Sequence, residues 1–172
     1  MKLITFEGIE GVGKSTQIQM LNDFILQQGF TSSIIREPGS TGFGEEVRHL
    51  LLNSDFDISA EAELLLMFAS RAELVKTALL NPQTDFILCD RFYDASIAYQ
   101  GYGRGLDLEK IAVLEEWVHS DLQPDLTLYL DLDPEVAARR IANRERDRME
   151  QEQMSFFHKV RQGYLARAAA DA

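Results

Sequence analysis

Residues 6–16 read FEGIEGVGKST, behind the short apolar run LITF and ahead of QIQMLNDFIL. A strand-like stretch that breaks into three glycines and a lysine and then turns helical admits few folds. Glycine is used where backbone must take positive φ or approach another group closely. Gly8-Ile9-Glu10-Gly11-Val12-Gly13-Lys14-Ser15 fits the pattern G-x-x-x-x-G-K-[ST], with a strand before it and a helix after it. In that setting successive N–H groups turn inward as an anion nest, and the helix N-terminus adds partial positive charge. Lys14 is then placed to reach the outer phosphates of a nucleoside triphosphate, and Ser15 to hold Mg²⁺ through its hydroxyl. The plain alternative is a glycine-rich strand-to-helix turn with no ligand.

The rest of the chain repeats the strand-then-helix rhythm. Strand-like runs fall at 3–6, 33–35, 86–89 and 126–130. Helical stretches fall at about 14–28, 44–53, 59–80, 93–100, 107–121, 134–142 and 150–169. Strands separated by helices predict βαβ units and a mainly parallel sheet covered on both faces, an α/β fold in a single domain over 1–172. Ser59 offers an N-cap for the third helix, and NPQTD (81–85) ends it. The chain has 172 residues, 45% of them apolar, enough for one real core. Its formal net charge of −11 argues against sequence-independent nucleic-acid binding, which needs clustered Lys and Arg. Any anionic ligand must be met by basic groups gathered locally. The apolar run LLLMFA (64–69) is far shorter than the ~20 residues of a membrane helix, so no membrane association is expected. The start does not resemble a signal peptide, and the lone Cys89, in FILCD, reads as a packed thiol. These features point to the cytoplasm.

Three further groups bear on chemistry. Asp90 closes a four-residue apolar strand; it either binds Mg²⁺ beside the phosphate loop or caps the next helix. No N-K-x-D or T-K-x-D occurs, which lowers the case for a guanine-nucleotide switch. Arg36 and Arg91 each follow a strand, at the sheet edge where ligands collect; either alone is as readily a surface ion pair, but two guanidiniums there suit a second phosphate. Arg48 and Arg71 lie on helices, where a solvated arginine is the plainer reading. NRERDRMEQE (143–152) places Arg144, Arg146 and Arg148 within five residues. It is either a solvated charged helix or a lid, about 143–150, that carries arginines over a transferring phosphoryl group.

Together FEGIEGVGKST, REPGSTG, EEVRHLLL, ASRAEL, DRFYDASIAYQGYGRGL, PDLTLYLDLDPEVAARR and DRMEQEQMSFFHKVRQGYL resemble the thymidylate kinases of bacterial type, in order and over essentially the whole chain. The resemblance implies a three-layer α/β/α P-loop fold with strand order 2-3-1-4-5. It also implies phosphorylation of dTMP to dTDP by ATP with Mg²⁺, in the supply of dTTP for DNA, by a homodimer. A kinase of another nucleoside or nucleotide and a nucleotide-binding switch are the alternatives. The chain ends at ARAAADA, about a strand and a helix short of the family pattern. The last strand of the order is therefore expected to be missing and the adenine contacts stay unassigned.

Residue by residue, the resemblance puts ATP against Gly8, Ile9, Glu10, Gly11, Val12, Gly13, Lys14, Ser15 and Thr16, with Mg²⁺ on Ser15 and near Asp90. Glu10 matches a carboxylate near the sugar 3′-OH. Arg36 and Arg91 match groups near the dTMP phosphate, and Arg48 lines the acceptor side. Arg71, Ser96 and Gln100 match groups that read the thymine edge, and Tyr99 one that sits beside C2′. Gly11 stands where another subclass carries an arginine. This shifts the catalytic arginine to the lid, with Arg148 first and Arg144 second, beside Lys14 and Arg91. The aromatic expected over the base is replaced by Met67, with Phe68 one residue later; either covers the ring. Ser40 replaces a second glycine in REPGS. The attacking group is a phosphate oxygen, already largely dianionic because its second pKa is near ~6. No general base is needed, and His49, His119 and His158 are read as structural or surface residues.

Overall fold

In the computed structural model, residues 1–53, 56–119, 122–143 and 147–170 are described. Four strands, β1 (Lys2–Glu7), β2 (Ser32–Arg36), β3 (Phe86–Asp90) and β4 (Leu126–Tyr129), form one sheet in the order β2-β3-β1-β4, every pair parallel. Among the described residues seven α-helices connect and cover them: α1 (Lys14–Gln27), α2 (Gly42–Asn53), α3 (Ala60–Leu74), α4 (Tyr93–Ser96), α5 (Leu108–His119), α6 (Pro134–Arg140) and α7 (Met154–Ala170). This is the strand order the motifs implied, over its first four members. Among the described residues no helix is long and apolar enough to cross a membrane.

The three layers follow from strand alternation, which sends successive side chains to opposite faces. Leu3, Ile87 and Cys89 pack with Leu74, Val75 and Leu79 of the α3 side. Ile4, Phe6 and Leu88 pack with Ile18 and Ile25 of α1. The Cys89 thiol is wholly buried, which pushes its pKa up and leaves it the packed thiol expected.

Helix ends follow local chemistry. Ser59 accepts from the Ala62 N–H and starts α3; Asp133 accepts from the Glu135 N–H, with Pro134 pre-set for the first turn of α6. Two expected helices prove to be composite. The helix at 59–80 is α3 followed by a π-helical turn, Val75–Leu79, and that at 93–100 is α4 followed by a π-helical stretch, Ile97–Gly103. The second packs against α7 at close range. A Cβ on Gly163 would stand 2.8 Å from the Ala98 Cα and 3.0 Å from the Tyr102 ring. That approach brings Tyr164 of α7 under the sheet edge.

Registers align the carboxyl ends of the strands. Arg36 is level with Asp90, Asp90 with Phe6, and Glu7 with Tyr129. The loops after β1, β2 and β3 therefore open on one edge, where ligands of open α/β sheets bind.

Candidate active site

The loop after β1 holds Gly8, Gly11 and Gly13 at φ of 136°, 82° and 106°. Gly11 also meets α6 closely: a Cβ there would lie 2.5 Å from the Ala137 carbonyl oxygen. This packing excludes any side chain at position 11, including the arginine of the other subclass. Gly13 gives α1 no side-chain cap, and no acid lies in its first turn. The N–H groups of that turn thus keep their electropositive face for an anion. Ser15 and Thr16 are exposed there.

Lys14 is buried, and its Nζ donates to the carbonyls of Gly8 (3.1 Å) and Ile9 (3.3 Å), 3.8 Å from Asp90 Oδ1. Burial, with the Arg91 charge nearby, lowers its pKa against the opposing pull of Glu10, Asp90 and Glu7. Asp90 Oδ1 is itself buried with no hydrogen bond.

Arg91 follows β3 with φ of 72°, a sparsely used backbone for a residue with a Cβ. Its N–H donates to the Phe6 carbonyl, and the next N–H, of Phe92, donates to Glu7 Oε1 at 2.7 Å. So placed, the Arg91 guanidinium bonds Glu10 (2.8 Å) and the Tyr164 hydroxyl (3.1 Å), and lies 4.9 Å over the Tyr99 ring. Burial, with Asp94 adding to it, pushes the Glu7 carboxyl up to about 8. Burial likewise pushes the Tyr99 phenol up to about 12, and its hydroxyl has no hydrogen bond.

A cavity opens beside Arg91, floored by Arg71 and Ser96 and bordered by Met67, Tyr99 and Gln100. Arg71 is almost fully buried between the rings of Phe68 (4.7 Å) and Phe92 (5.6 Å). Its Nε donates to Glu37 (2.7 Å), and its Nη2 to the Phe92 carbonyl (3.1 Å) and Ser96 Oγ (3.0 Å). Its Nη1 is buried with no acceptor. A guanidinium fixed on two sides, with one donor left over, is built to meet an acceptor from a ligand.

The placements divide the expected residues. Glu10, Arg48, Met67, Arg71, Arg91, Ser96, Tyr99 and Gln100 all line the cavity. Phe68 does not: it is buried with Leu64 and Ile111, so Met67 is the side chain facing the space. Arg36 is not brought to the cavity either. It pairs with Glu45 at 2.9 Å on the exposed side of the β2–α2 loop, where Glu45 also accepts from the Ser40 N–H. Ile9 and Val12 are core residues under α6 and α7.

On the far side, Asp147, Met149 and Glu150 line the cavity, so segment 147–150 sits against it as a lid would. Arg148 does not point in. Its Nε donates to the Leu51 carbonyl (2.7 Å), its Nη2 to Glu63 (2.6 Å), and its backbone N–H to the Leu52 carbonyl. The expectation of Arg148 above the phosphoryl group is thus not met in this conformation: a buried carboxylate holds it. Arg144, the second lid candidate, lies outside the described residues.

Sequence reasoning missed Arg140, whose Nη1 lies 3.4 Å from the Gly11 carbonyl and 3.5 Å from that of Val12. It missed Glu37 and Glu63 as well. Arg140 falls within the segment PDLTLYLDLDPEVAARR, but no local pattern sets it apart from Arg139.

Comparison with known proteins bears on this arrangement directly. The family model for thymidylate kinase matches residues 6–172. The chain belongs to the thymidylate kinase family. A thymidylate kinase of Thermoanaerobacter sp. (strain X514) is 46% identical over 166 residues, 95% of this chain and 82% of that protein. One of Chlorobium luteolum is 48% identical over an alignment of 177 positions that covers 95% of this chain and 82% of that one. The crystal structure of thymidylate kinase from Ehrlichia chaffeensis superposes with a TM-score of 0.81 at 34% identity, covering 99% of this chain and 82% of the other. The thymidylate kinase resemblance carried by the motifs therefore holds along the chain, and the P-loop fold with it.

Proposed function

We propose that the protein transfers the γ-phosphoryl group of ATP to dTMP, giving ADP and dTDP. The observation that carries this reading is Arg71, a buried guanidinium with its Nη1 unpaired in a cavity next to the phosphate loop. That donor suits O4 of thymine, whereas cytosine presents an amino group at the same position. Met67 covers the base, Tyr99 sits at the sugar, and Glu10 approaches its 3′-OH. Arg91 and Arg48 hold the acceptor phosphate. Arg36 joins them by exchanging Glu45, a half-exposed pair worth only about 0–1 kcal/mol, for that phosphate.

An oxygen of the dTMP phosphate forms the new P–O bond while the bond from the γ-phosphorus to the β-phosphate oxygen breaks, and ADP leaves. The acceptor is already largely dianionic, so no side chain takes a proton. The task of the protein is to bring two polyanions into line. The loop N–H groups, with Ile9, Val12 and Thr16 around them, and Lys14 hold the donor; Arg91 faces it from the acceptor side. Arg140 neutralises charge beside the loop. The lid, about 143–150, closes over the phosphates; Arg148 reaches them only by leaving Glu63, and Arg144 is the second candidate.

The oxygen donors here fit a hard cation. Ser15 offers a hydroxyl, and Asp90 a carboxylate with one buried, unbonded oxygen. Among the described residues no group of three His, Cys, Asp or Glu could hold a metal, so such a cation would take most of its ligands from phosphates and water. Mg²⁺ held by Ser15 and Asp90 would offset phosphate charge.

We place the enzyme in the cytoplasm as a single kinase domain that works as a homodimer. On the adjacent helices α3 and α5, Leu65, Val113 and Trp117 are 57%, 68% and 83% exposed, apolar surface that a second copy would cover.

ADP release in the presence of ATP and Mg²⁺, followed as nucleoside monophosphates are added singly, tests the activity. dTMP is expected to drive it. Release driven only by another nucleotide, or by none, contradicts the reading.

A further inference from the structure

We propose that Glu63 is a specificity-determining positioning residue: it holds the Gln100 amide in one orientation, so that the cavity offers the base a hydrogen-bond acceptor at that point and never a donor. The inference rests on the dTMP reading above. Glu63 lies in the first turn of α3, buried, and does not line the cavity. It acts through Gln100.

Four donors converge on its carboxylate. Oε1 accepts from Gln100 Nε2 (2.9 Å) and Arg104 Nε (3.2 Å). Oε2 accepts from Arg104 Nη2 (3.0 Å) and Arg148 Nη2 (2.6 Å). Burial alone would raise its pKa, but the bonds from Arg104, Gln100 and Arg148 outweigh burial and hold the carboxyl below its ordinary range. Both guanidiniums keep it ionised here, and Arg104, with two of the bonds, still does so when Arg148 leaves; an ionised carboxylate only accepts.

The NH₂ of Gln100 must therefore face Glu63. A flipped amide would set its carbonyl oxygen against the carboxylate, two buried acceptors with no proton between them. Gln100 is 1% exposed and lines the cavity. With its NH₂ turned to Glu63 and one of its two hydrogens bonded there, the carbonyl oxygen lies on the opposite side of the amide, and no donor among the described residues reaches it. N3 of thymine carries a hydrogen that such an oxygen accepts. N3 of cytosine carries none and would meet an acceptor with an acceptor. Arg71 sets the polarity at position 4 of the base and Gln100 at N3, and cytosine opposes both. An amide free to turn would lose half of that discrimination.

The test is Glu63→Gln, which replaces a pure acceptor with an amide that donates or accepts and so frees Gln100 to turn. kcat/KM is measured for dTMP and dCMP, with ATP, in wild type and variant. The ratio is expected to fall at least about tenfold, chiefly through KM, the scale of mispairing one buried polar group. A merely structural role lowers both substrates alike, so an unchanged ratio in an active variant overturns the assignment. A wild-type enzyme that does not phosphorylate dTMP overturns both this inference and the functional reading. A variant that prefers dTMP as strongly as wild type overturns the inference alone. Because Glu63→Gln strips two arginines of a charged partner, a second measurement uses the wild type. Nuclear magnetic resonance of the Gln100 carboxamide is expected to show hydrogens protected from solvent exchange, with and without dTMP. Exchange as fast as that of an exposed glutamine overturns the proposal.

Discussion

In the proposed reaction Lys14 serves the donor and Arg71 the acceptor, so their removal should act differently. Lys14→Met takes away the one buried ammonium beside the loop; kcat is expected to fall about a thousandfold or more, read from initial rates at saturating dTMP. Arg71→Ala removes the donor to the base and leaves Glu37 buried without its partner. KM for dTMP should rise and the preference over dCMP shrink, while the melting curve reports about 3–5 kcal/mol of lost stability. An Arg71→Ala enzyme that keeps its selectivity shows that the guanidinium does not read the base. Glu7 makes a prediction in pH. Its folded-state value is raised, to about 8, by burial first and Asp94 second. The folded protein therefore holds a proton that the unfolded chain releases near 4.5, and this contribution to stability fades as pH rises from about 4.5 to about 8. Glu7→Gln, an isostere of the protonated form, should flatten the decline by about 1.4 kcal/mol per pH unit within that window; denaturant midpoints taken at several pH values check it. Lys14 and Ser15 were legible because their motif is contiguous. Glu63 was not: its partners Arg104 and Arg148 lie 41 and 85 residues away, and nothing in a local pattern links them. Arg36 was legible as a residue after a strand, but its capture by Glu45 is a matter of loop geometry.

Among the elements, α7 is closely constrained. Gly163 lets it approach the stretch Ile97–Gly103 until a single methyl would collide with the backbone of Ala98. Gly163→Ala is expected to cost about 1–3 kcal/mol by thermal unfolding. It should also raise KM for dTMP, because Tyr164, the next residue, bonds Arg91. A variant as stable as wild type means that the helix has room the contacts deny. Arg148, in the segment proposed as a lid, is the complementary case. It is clasped to the end of α2 through the Leu51 and Leu52 carbonyls and to α3 through Glu63. Element positions were largely readable, since apolar runs and caps such as Ser59 and Asp133 are local signals. The π-helical turns at Val75–Leu79 and Ile97–Gly103 were not, because a widened turn keeps the helical pattern of apolar residues.

For the whole molecule, the parallel order β2-β3-β1-β4 puts the loops after β1 and β3 side by side, and this converts two separate sequence motifs into one site. The alternation of strands and helices announced a parallel sheet; the order itself came only with the family resemblance, because hydrophobic period carries no strand neighbours. A net charge of −11 makes the same point about scale: the acidic chain gathers Arg48, Arg71 and Arg91 around one cavity, with Lys14 buried in the adjoining loop. The exposed faces of α3 and α5 make the last prediction. Trp117→Glu should shift the particle from dimer to monomer in sedimentation equilibrium; a wild-type protein that already sediments as a monomer contradicts the assembly. The central claim is that this cleft pairs a triphosphate cradle with a pocket whose polarity matches thymine. The ratio of kcat/KM for dTMP to that for dCMP in the wild-type enzyme tests it most directly. A site built to hydrogen-bond one base edge should favour dTMP by about a thousandfold or more, and a ratio near unity would contradict the account.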